Sequence, residues 1–147
     1  EQKIKDHDLT LKKSCSLTPE ECRSLLEGRP VRACGRDRPL LSFLQAEMLL
    51  RRFSPRILVE YERTAYTCME GNVRITFDRN LASSGHVRRL SDPALPKRPV
   101  LRPGQHIMEV KYDEFLPSHI RKALDTGKLE RTTFSKYALC RLYPYGG

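Results

Sequence analysis

Charged residues recur inside runs that otherwise read as β-strands, each basic side chain within a residue or two of an acid: Glu60-Tyr-Glu-Arg63, Arg74-Ile-Thr-Phe-Asp78 and Glu109-Val-Lys111. A lysine or arginine on an alternating strand is ordinarily solvated. Several such strands carrying cations on one face make a face suited to a polar interior, and an anion is the natural occupant.

The chain has 147 residues, the size of one domain. A chain of that length buries on the order of two-thirds of the surface its unfolded form exposes, which supports one core. Lys and Arg number 27 against 18 Asp and Glu, a formal charge of +9. That balance favours an acidic partner such as nucleic acid, an anionic membrane or a phosphate polymer, and does not choose among them. The five cysteines (Cys15, Cys22, Cys34, Cys68, Cys140) are odd in number and far apart. They form no CxxC pair and no zinc spacing with histidines, so reduced thiols in a cytoplasmic protein are expected. No apolar stretch approaches the roughly 20 residues needed to span a bilayer, and the opening residues lack a signal-peptide h-region. The chain starts without methionine and in the middle of a charged strand, which reads as an excised piece of a longer protein.

Two short strands, Glu1 to Lys5 and Leu9 to Lys13, are predicted around a turn at Asp6-His7-Asp8. Thr18-Pro19-Glu20-Glu21 supplies an N-cap, a proline at the first helical position and an acid at the third, so a short helix starts there and stops near Gly28. Helical spacing of Leu40, Leu41, Phe43, Leu44, Met48, Leu49 and Leu50 predicts a second helix over 39–52, packed on the outside of a sheet. A long strand follows from Arg56 to Cys68, then a hairpin connection at Glu70-Gly-Asn72 into a strand from Val73 to Asp78. Residues 79–104 read as a long loop with short strands around Val87 to Leu90 and Pro99 to Leu101. His106 to Tyr112 is a third clear strand, Pro117 to Leu124 a helix closed by Gly127, and Phe134 to Arg141 a last helical turn or strand.

Alternation divides the strands. Met108, Val110 and Tyr112 share one face against Glu109 and Lys111, and Val73, Ile75 and Phe77 oppose Arg74, Thr76 and Asp78. Arg63 shares parity with Ile57, Val59, Tyr61 and Ala65, among which an arginine needs a carboxylate or anion partner. Patterning alone favours the solvent face of an antiparallel sheet, with Arg63 paired to Glu60 or Glu62, Arg74 to Asp78, and Glu109 to Lys111. Asp78, beside Arg79-Asn80, reads as a turn cap at a strand end. The four histidines are scattered at turns and element ends and make poor catalytic candidates. Tyr112, Phe115, Phe134 and Tyr137 read as packing between sheet and helices, and Arg88-Arg89, Lys97-Arg98 and Arg102 as a basic loop.

Four stretches in order, Tyr61-Glu-Arg-Thr-Ala65, Val73-Arg-Ile-Thr-Phe-Asp78, Met108-Glu-Val-Lys111 and Phe134-Ser-Lys-Tyr137, resemble the VTC domain, the polyphosphate polymerase domain of vacuolar transporter chaperone proteins and their bacterial relatives. The resemblance covers nearly the whole chain and implies a place among the triphosphate tunnel metalloenzymes, the CYTH-like superfamily. The fold it implies is α+β, an incomplete antiparallel β-barrel of triphosphate tunnel type flanked by helices. By the same resemblance Arg63, Arg74, Lys111 and Lys136 are tunnel cations that bind substrate and take part in catalysis, and Glu109 binds a divalent metal, Mn or Mg. Lys3, with Lys12 or Lys13, is a further phosphate ligand, and Glu1 a tunnel carboxylate. The family's upstream strands, including a basic Lys/Arg-x-Arg strand, are missing from this chain, which is therefore expected to bind polyphosphate or pyrophosphate and turn over poorly. Open barrel edges make self-association a possibility.

Those residue types suit the chemistry. Guanidinium forks and ammonium groups offset the repulsion along a phosphate chain and hold it in line. Phosphoryl transfer then needs positioning and charge stabilisation more than a protein nucleophile. The implied activity is metal-dependent transfer from a nucleoside triphosphate to a growing polyphosphate. Hydrolysis of triphosphate or short polyphosphates on the same fold, and a non-catalytic polyphosphate-binding module, are the alternatives. A nucleic-acid-binding domain fits less well, because the aromatics mostly share parity with aliphatic residues and do not interleave with the cations.

Overall fold

A computed structural model describes residues 1–6, 9–32, 38–127 and 129–143. The chain divides into two compact units, Glu1–Arg56 with Val87–Asp92, and Ile57–His86 with Pro93–Gly147.

The first unit opens with an antiparallel hairpin of β1 (Gln2–Asp6) and β2 (Leu9–Lys13), in a register that sets Lys3 opposite Lys12 and Ile4 opposite Leu11. Residues 7 and 8 of the predicted turn lie outside the described residues. Helix α1 (Pro19–Leu26) has the predicted start: the Thr18 hydroxyl accepts from the Glu21 amide while the Glu21 carboxylate accepts from the Thr18 amide, a reciprocal cap. Gly28, at φ +73°, closes the helix in the left-handed region that glycine enters without strain. Helix α2 (Pro39–Arg51) buries Leu41 and Met48 with Val31, and Cys15, Leu25 and Leu44 pack around them. These partners are side chains of the first unit's own helices and connections, where the helical spacing alone had suggested a sheet. Residues 87–89 form a 3-10 turn and not the predicted short strand, since Arg89 is drawn back onto Asp92.

The second unit is built on an open antiparallel sheet. Strand β3 (Leu58–Cys68) pairs with β4 (Val73–Ser84), and the far side of β4 pairs with β5 (Arg98–Pro99) and β6 (Ile107–Lys111). The connection between β3 and β4 turns at Gly71, φ +71°, whose carbonyl accepts from the Asp113 amide. A Cβ at Gly71 would sit 2.4 Å from the Phe115 carbonyl oxygen, so only glycine fits. Among the described residues the sheet does not close into a barrel. Two short helices, α3 (Ser118–Leu124) and α4 (Lys136–Leu142), follow, the latter capped by the Ser135 hydroxyl accepting from the Ala138 amide.

Strand β4 corrects the sequence reading twice. It runs six residues past Asp78, because a bulge at Asn80-Leu81 lets the strand bend and resume its pairing with β3. Asn80 takes φ +53° there, and its side-chain amide donates to Glu62. Asp78 is therefore an interior strand residue and not a turn cap. Burial along β4 does not follow the apolar alternation: on one face Thr76 and Asp78 are buried and Arg74 is exposed, and on the other Val73 is buried while Ile75 and Phe77 are half-buried. At Thr76 and Asp78 the polar face is an inner one. Tyr112, Phe115, Phe134 and Tyr137, expected as packing, are all exposed.

Candidate functional site

The register of β3, β4 and β6 sets three rows across one face: Arg63 beside Asp78 and Ile107, Ala65 beside Thr76 and Glu109, and Thr67 beside Arg74 and Lys111. Pleating keeps every second residue on one side, so a three-stranded patch collects two arginines, a lysine and two carboxylates. Helix α4 brings a further cation to it through Lys136 at its first position, and the Tyr143 carbonyl at its end accepts from the Ser83 hydroxyl on β4.

Asp78 is the centre of the arrangement. Its carboxylate, 1% exposed, accepts from Arg63 Nε at 2.6 Å on Oδ1 and from Arg63 Nη2 at 2.8 Å on Oδ2. Lys136 Nζ lies 2.7 Å from the same Oδ2. The ring of Tyr61, on the same side of β3 as Arg63, lies 5.1 Å from both the Arg63 guanidinium and the Lys136 ammonium. Hydrogen bonding from Arg63 holds the Asp78 carboxyl below the usual aspartate range, with Lys136 adding to it against the opposing effect of burial. The same bond raises the Arg63 pKa further above its already high ordinary value.

In the next rows the geometry is looser. Glu109 accepts from Lys111 Nζ at 2.9 Å, and both side chains remain well exposed. Lys111 lowers the Glu109 pKa by hydrogen bond and charge, and Lys136 and Arg63 act on it more weakly. Arg74 is exposed on the edge of the patch, and no ion pair of Arg74 is seen among the described residues. Thr76 Oγ1, opposite Glu109, is buried with no hydrogen-bond partner.

Arg63, Arg74, Lys111, Lys136 and Glu109, five of the predicted site residues, thus share one face. The pairings differ from those expected of a plain sheet surface: Arg63 takes Asp78, while Glu60 pairs with Lys97 and Glu62 with Asn80 and Arg79. Only the Glu109 to Lys111 pair is as patterning suggested. Lys3, Lys12 and Lys13 belong to the first unit's hairpin, Lys3 lying 3.7 Å from Glu1, with all three exposed. Lys13 also borders a hollow of about 520 Å³ lined by Gln2, Ile4, Cys15, Leu40 and Phe43. Arg38 and Ser14 also belong to that lining, so two cations border it among mostly apolar or neutral side chains.

The sequence reading missed Asp78 and Tyr61 as site residues. Their signal was present: Tyr61 shares the parity of Arg63, and Asp78 shares that of Arg74. Among the described residues no group of three or more His, Cys, Asp or Glu converges as metal ligands, and the four described cysteines are free thiols. No helix among them is long and apolar enough to cross a membrane.

Fold and site define an α+β protein whose antiparallel sheet presents a basic face organised on a buried carboxylate. The chain belongs to the VTC domain family, whose model matches residues 1–143. No curated protein and no solved structure matched. Membership of the family points to a polyphosphate-related function.

Proposed function

We propose that the chain supplies the phosphate-binding wall of a polyphosphate polymerase-like domain, transferring a phosphoryl group from a nucleoside triphosphate to a growing chain. The observation that carries this reading is the convergence of Arg63, Lys136, Arg74 and Lys111 on one sheet face, with two of the four held on a buried carboxylate. Cations fixed in this way bind a chain of phosphates at preset points, and the exposed pair at Arg74 and Lys111 extends the contact along it. Terminal phosphate of the polymer attacks the γ-phosphorus, the bond to the β-phosphate oxygen breaks, and nucleoside diphosphate leaves with that electron pair. The cations offset the charge on the bridging and equatorial oxygens throughout.

The metal implied by the family fits the donors only as a partner of phosphate. Both oxygens of Asp78 are engaged by Arg63 and Lys136, which leaves Glu109, with the Thr76 hydroxyl across the register, as hard oxygen donors. One carboxylate suits Mg or Mn, ions that keep waters and substrate phosphates in their shells. Glu109 would hold such an ion, which when bound supplies charge neutralisation at the reacting phosphate. A purely binding role is the second reading, favoured by the ammonium of Lys111 already resting on Glu109.

Tripolyphosphate binding measured by calorimetry, with pyrophosphate and single-stranded DNA of equal charge as competitors, tests the common core of both. Saturable binding displaced by pyrophosphate and not by DNA is expected; equal displacement by DNA at matched salt overturns it. Product analysis with ATP and Mn or Mg then separates the readings. A lengthening phosphate chain lost in Glu109→Ala supports polymerase, orthophosphate released from tripolyphosphate supports hydrolase, and binding without turnover supports the binding module.

A further inference from the structure

Two of the proposed phosphate ligands, Arg63 and Lys136, are already bonded to the same carboxylate. A counter-charge that competes with substrate, or a strut that merely fastens α4 to the sheet, is one account of Asp78. Under it, removing the charge leaves polyanion affinity unchanged or raises it, since the face becomes more positive by one. We propose instead that Asp78 is a positioning residue that fixes Arg63 and Lys136 as a two-pronged receptor for one phosphate group. The inference rests on the polyphosphate reading above.

The geometry favours aim over neutralisation. Asp78 sits on the central strand, paired on one side with Arg63 and on the other with Ile107, so its backbone is held from both directions. A fork-to-fork contact fixes the plane of the guanidinium as well as its position. Only two of the five N–H groups of Arg63, and one of the three on Lys136, are used on Asp78. Oδ2 accepts from both side chains, so the two cationic nitrogens lie close enough for one phosphate to bridge. Two cations held so near each other repel. Asp78 between them and the Tyr61 ring, 5.1 Å from each, offset that repulsion. The side chains of Arg63 and Lys136 remain 32% and 21% exposed, so the assembly is anchored inside and open at its surface.

The test compares tripolyphosphate affinity, at fixed pH and several salt concentrations, for the wild-type chain, Asp78→Asn, Arg63→Gln/Lys136→Gln and the triple variant. Asp78→Asn is expected to weaken binding at least tenfold despite the added positive charge, and to change it less than twofold once Arg63 and Lys136 are gone. Unchanged or tighter binding by Asp78→Asn overturns the inference while leaving the polyphosphate reading in place. Failure of the wild-type chain to bind overturns both. Should Asp78→Asn not fold, the Arg63 Nε–H resonance of the wild-type chain decides the matter. A shift that tripolyphosphate at saturation leaves in place means that Asp78 keeps its hold while substrate is bound, as proposed; a shift that moves to that of a phosphate-bonded or solvated arginine means that Asp78 is displaced and the inference is wrong.

Discussion

The chain carries its lysines and arginines in two quite different settings. In the first unit's hairpin, Lys3 and Lys12 face each other across the register, exposed, with Glu1 a loose partner at 3.7 Å. In the second unit, Arg63 and Lys136 share a carboxylate that is 1% exposed, at 2.6–2.8 Å. Similar charges are solvated in one place and partly buried and aimed in the other. Solvated cations attract any polyanion from a distance and are screened by salt; aimed ones recognise a particular spacing and resist screening.

The contrast breaks most visibly in acid. A carboxyl held below its ordinary value stabilises the fold while ionised, so the contribution of Asp78 is present above its ordinary pKa of 3.8 and is lost as pH falls through the lower folded value. Glu109 follows the same sign from its ordinary 4.5. As pH falls from 3.8 through that lower folded value, the docking of α4 through Lys136 is therefore expected to weaken and then fail, and the near-ultraviolet circular dichroism of the tyrosines should fade with it. Asp78→Ala should reproduce the damage at neutral pH: removing one partner of a fully buried ion pair costs about 3–5 kcal/mol, and the cost here is smaller because Arg63 and Lys136 keep some access to water. A thermal melt that shifts by only a degree or two would place Asp78 with the hairpin lysines, as a surface charge of little consequence.

How much of this was legible in the sequence follows from the same contrast. Alternation in 73–78 and 107–111 correctly separated the two faces of the sheet, because period-two patterning is a property of the strand itself. It could not say which face is inner. Apolar Val73, Ile75 and Phe77 argued for a core on one face, where Val73 is buried, but Thr76 and Asp78 on the other are buried too, and there Lys136 of α4, some 60 residues downstream, arrives from outside the local pattern. Asp78 was misread for a related reason: Arg79-Asn80 looks like a turn, and a bulge with Asn80 in the left-handed region uses the same residue types within a continuing strand. The reciprocal cap of α1 was legible to the residue, being wholly local. The pairing of Arg63 with Asp78 required the register between β3 and β4, a non-local quantity.

Single cation removals sharpen the comparison at a smaller scale. Arg63→Gln removes hydrogen bonds to a charged group, worth about 1.5–3 kcal/mol, or roughly a 10- to 150-fold loss of tripolyphosphate affinity. Lys12→Gln removes an exposed charge worth about 0.2–1 kcal/mol, or roughly a 1.5- to 5-fold loss. Calorimetric titration at rising salt should separate them further: the Lys12 effect fades as the Debye length shrinks below about 10 Å, and the Arg63 effect persists. Equal losses with equal salt slopes would make the two regions one kind of electrostatic surface.

The smallest expected effect is also the one that isolates the hairpin. Like charges directly opposite on an antiparallel pair are destabilising, and an opposite-charge pair contributes roughly 0.2–1 kcal/mol. Lys12→Glu converts the Lys3 and Lys12 rung into such a pair, so amide exchange over Gln2–Ile4 should slow a few-fold at low salt and the gain should shrink as salt is added. Its tripolyphosphate affinity should fall only modestly, because the aimed cations of the second unit are untouched. A Lys12→Glu variant that lost as much affinity as Arg63→Gln would mean that the hairpin lysines contact the phosphate chain directly, and that solvation in the free protein is a poor guide to which cations do the binding.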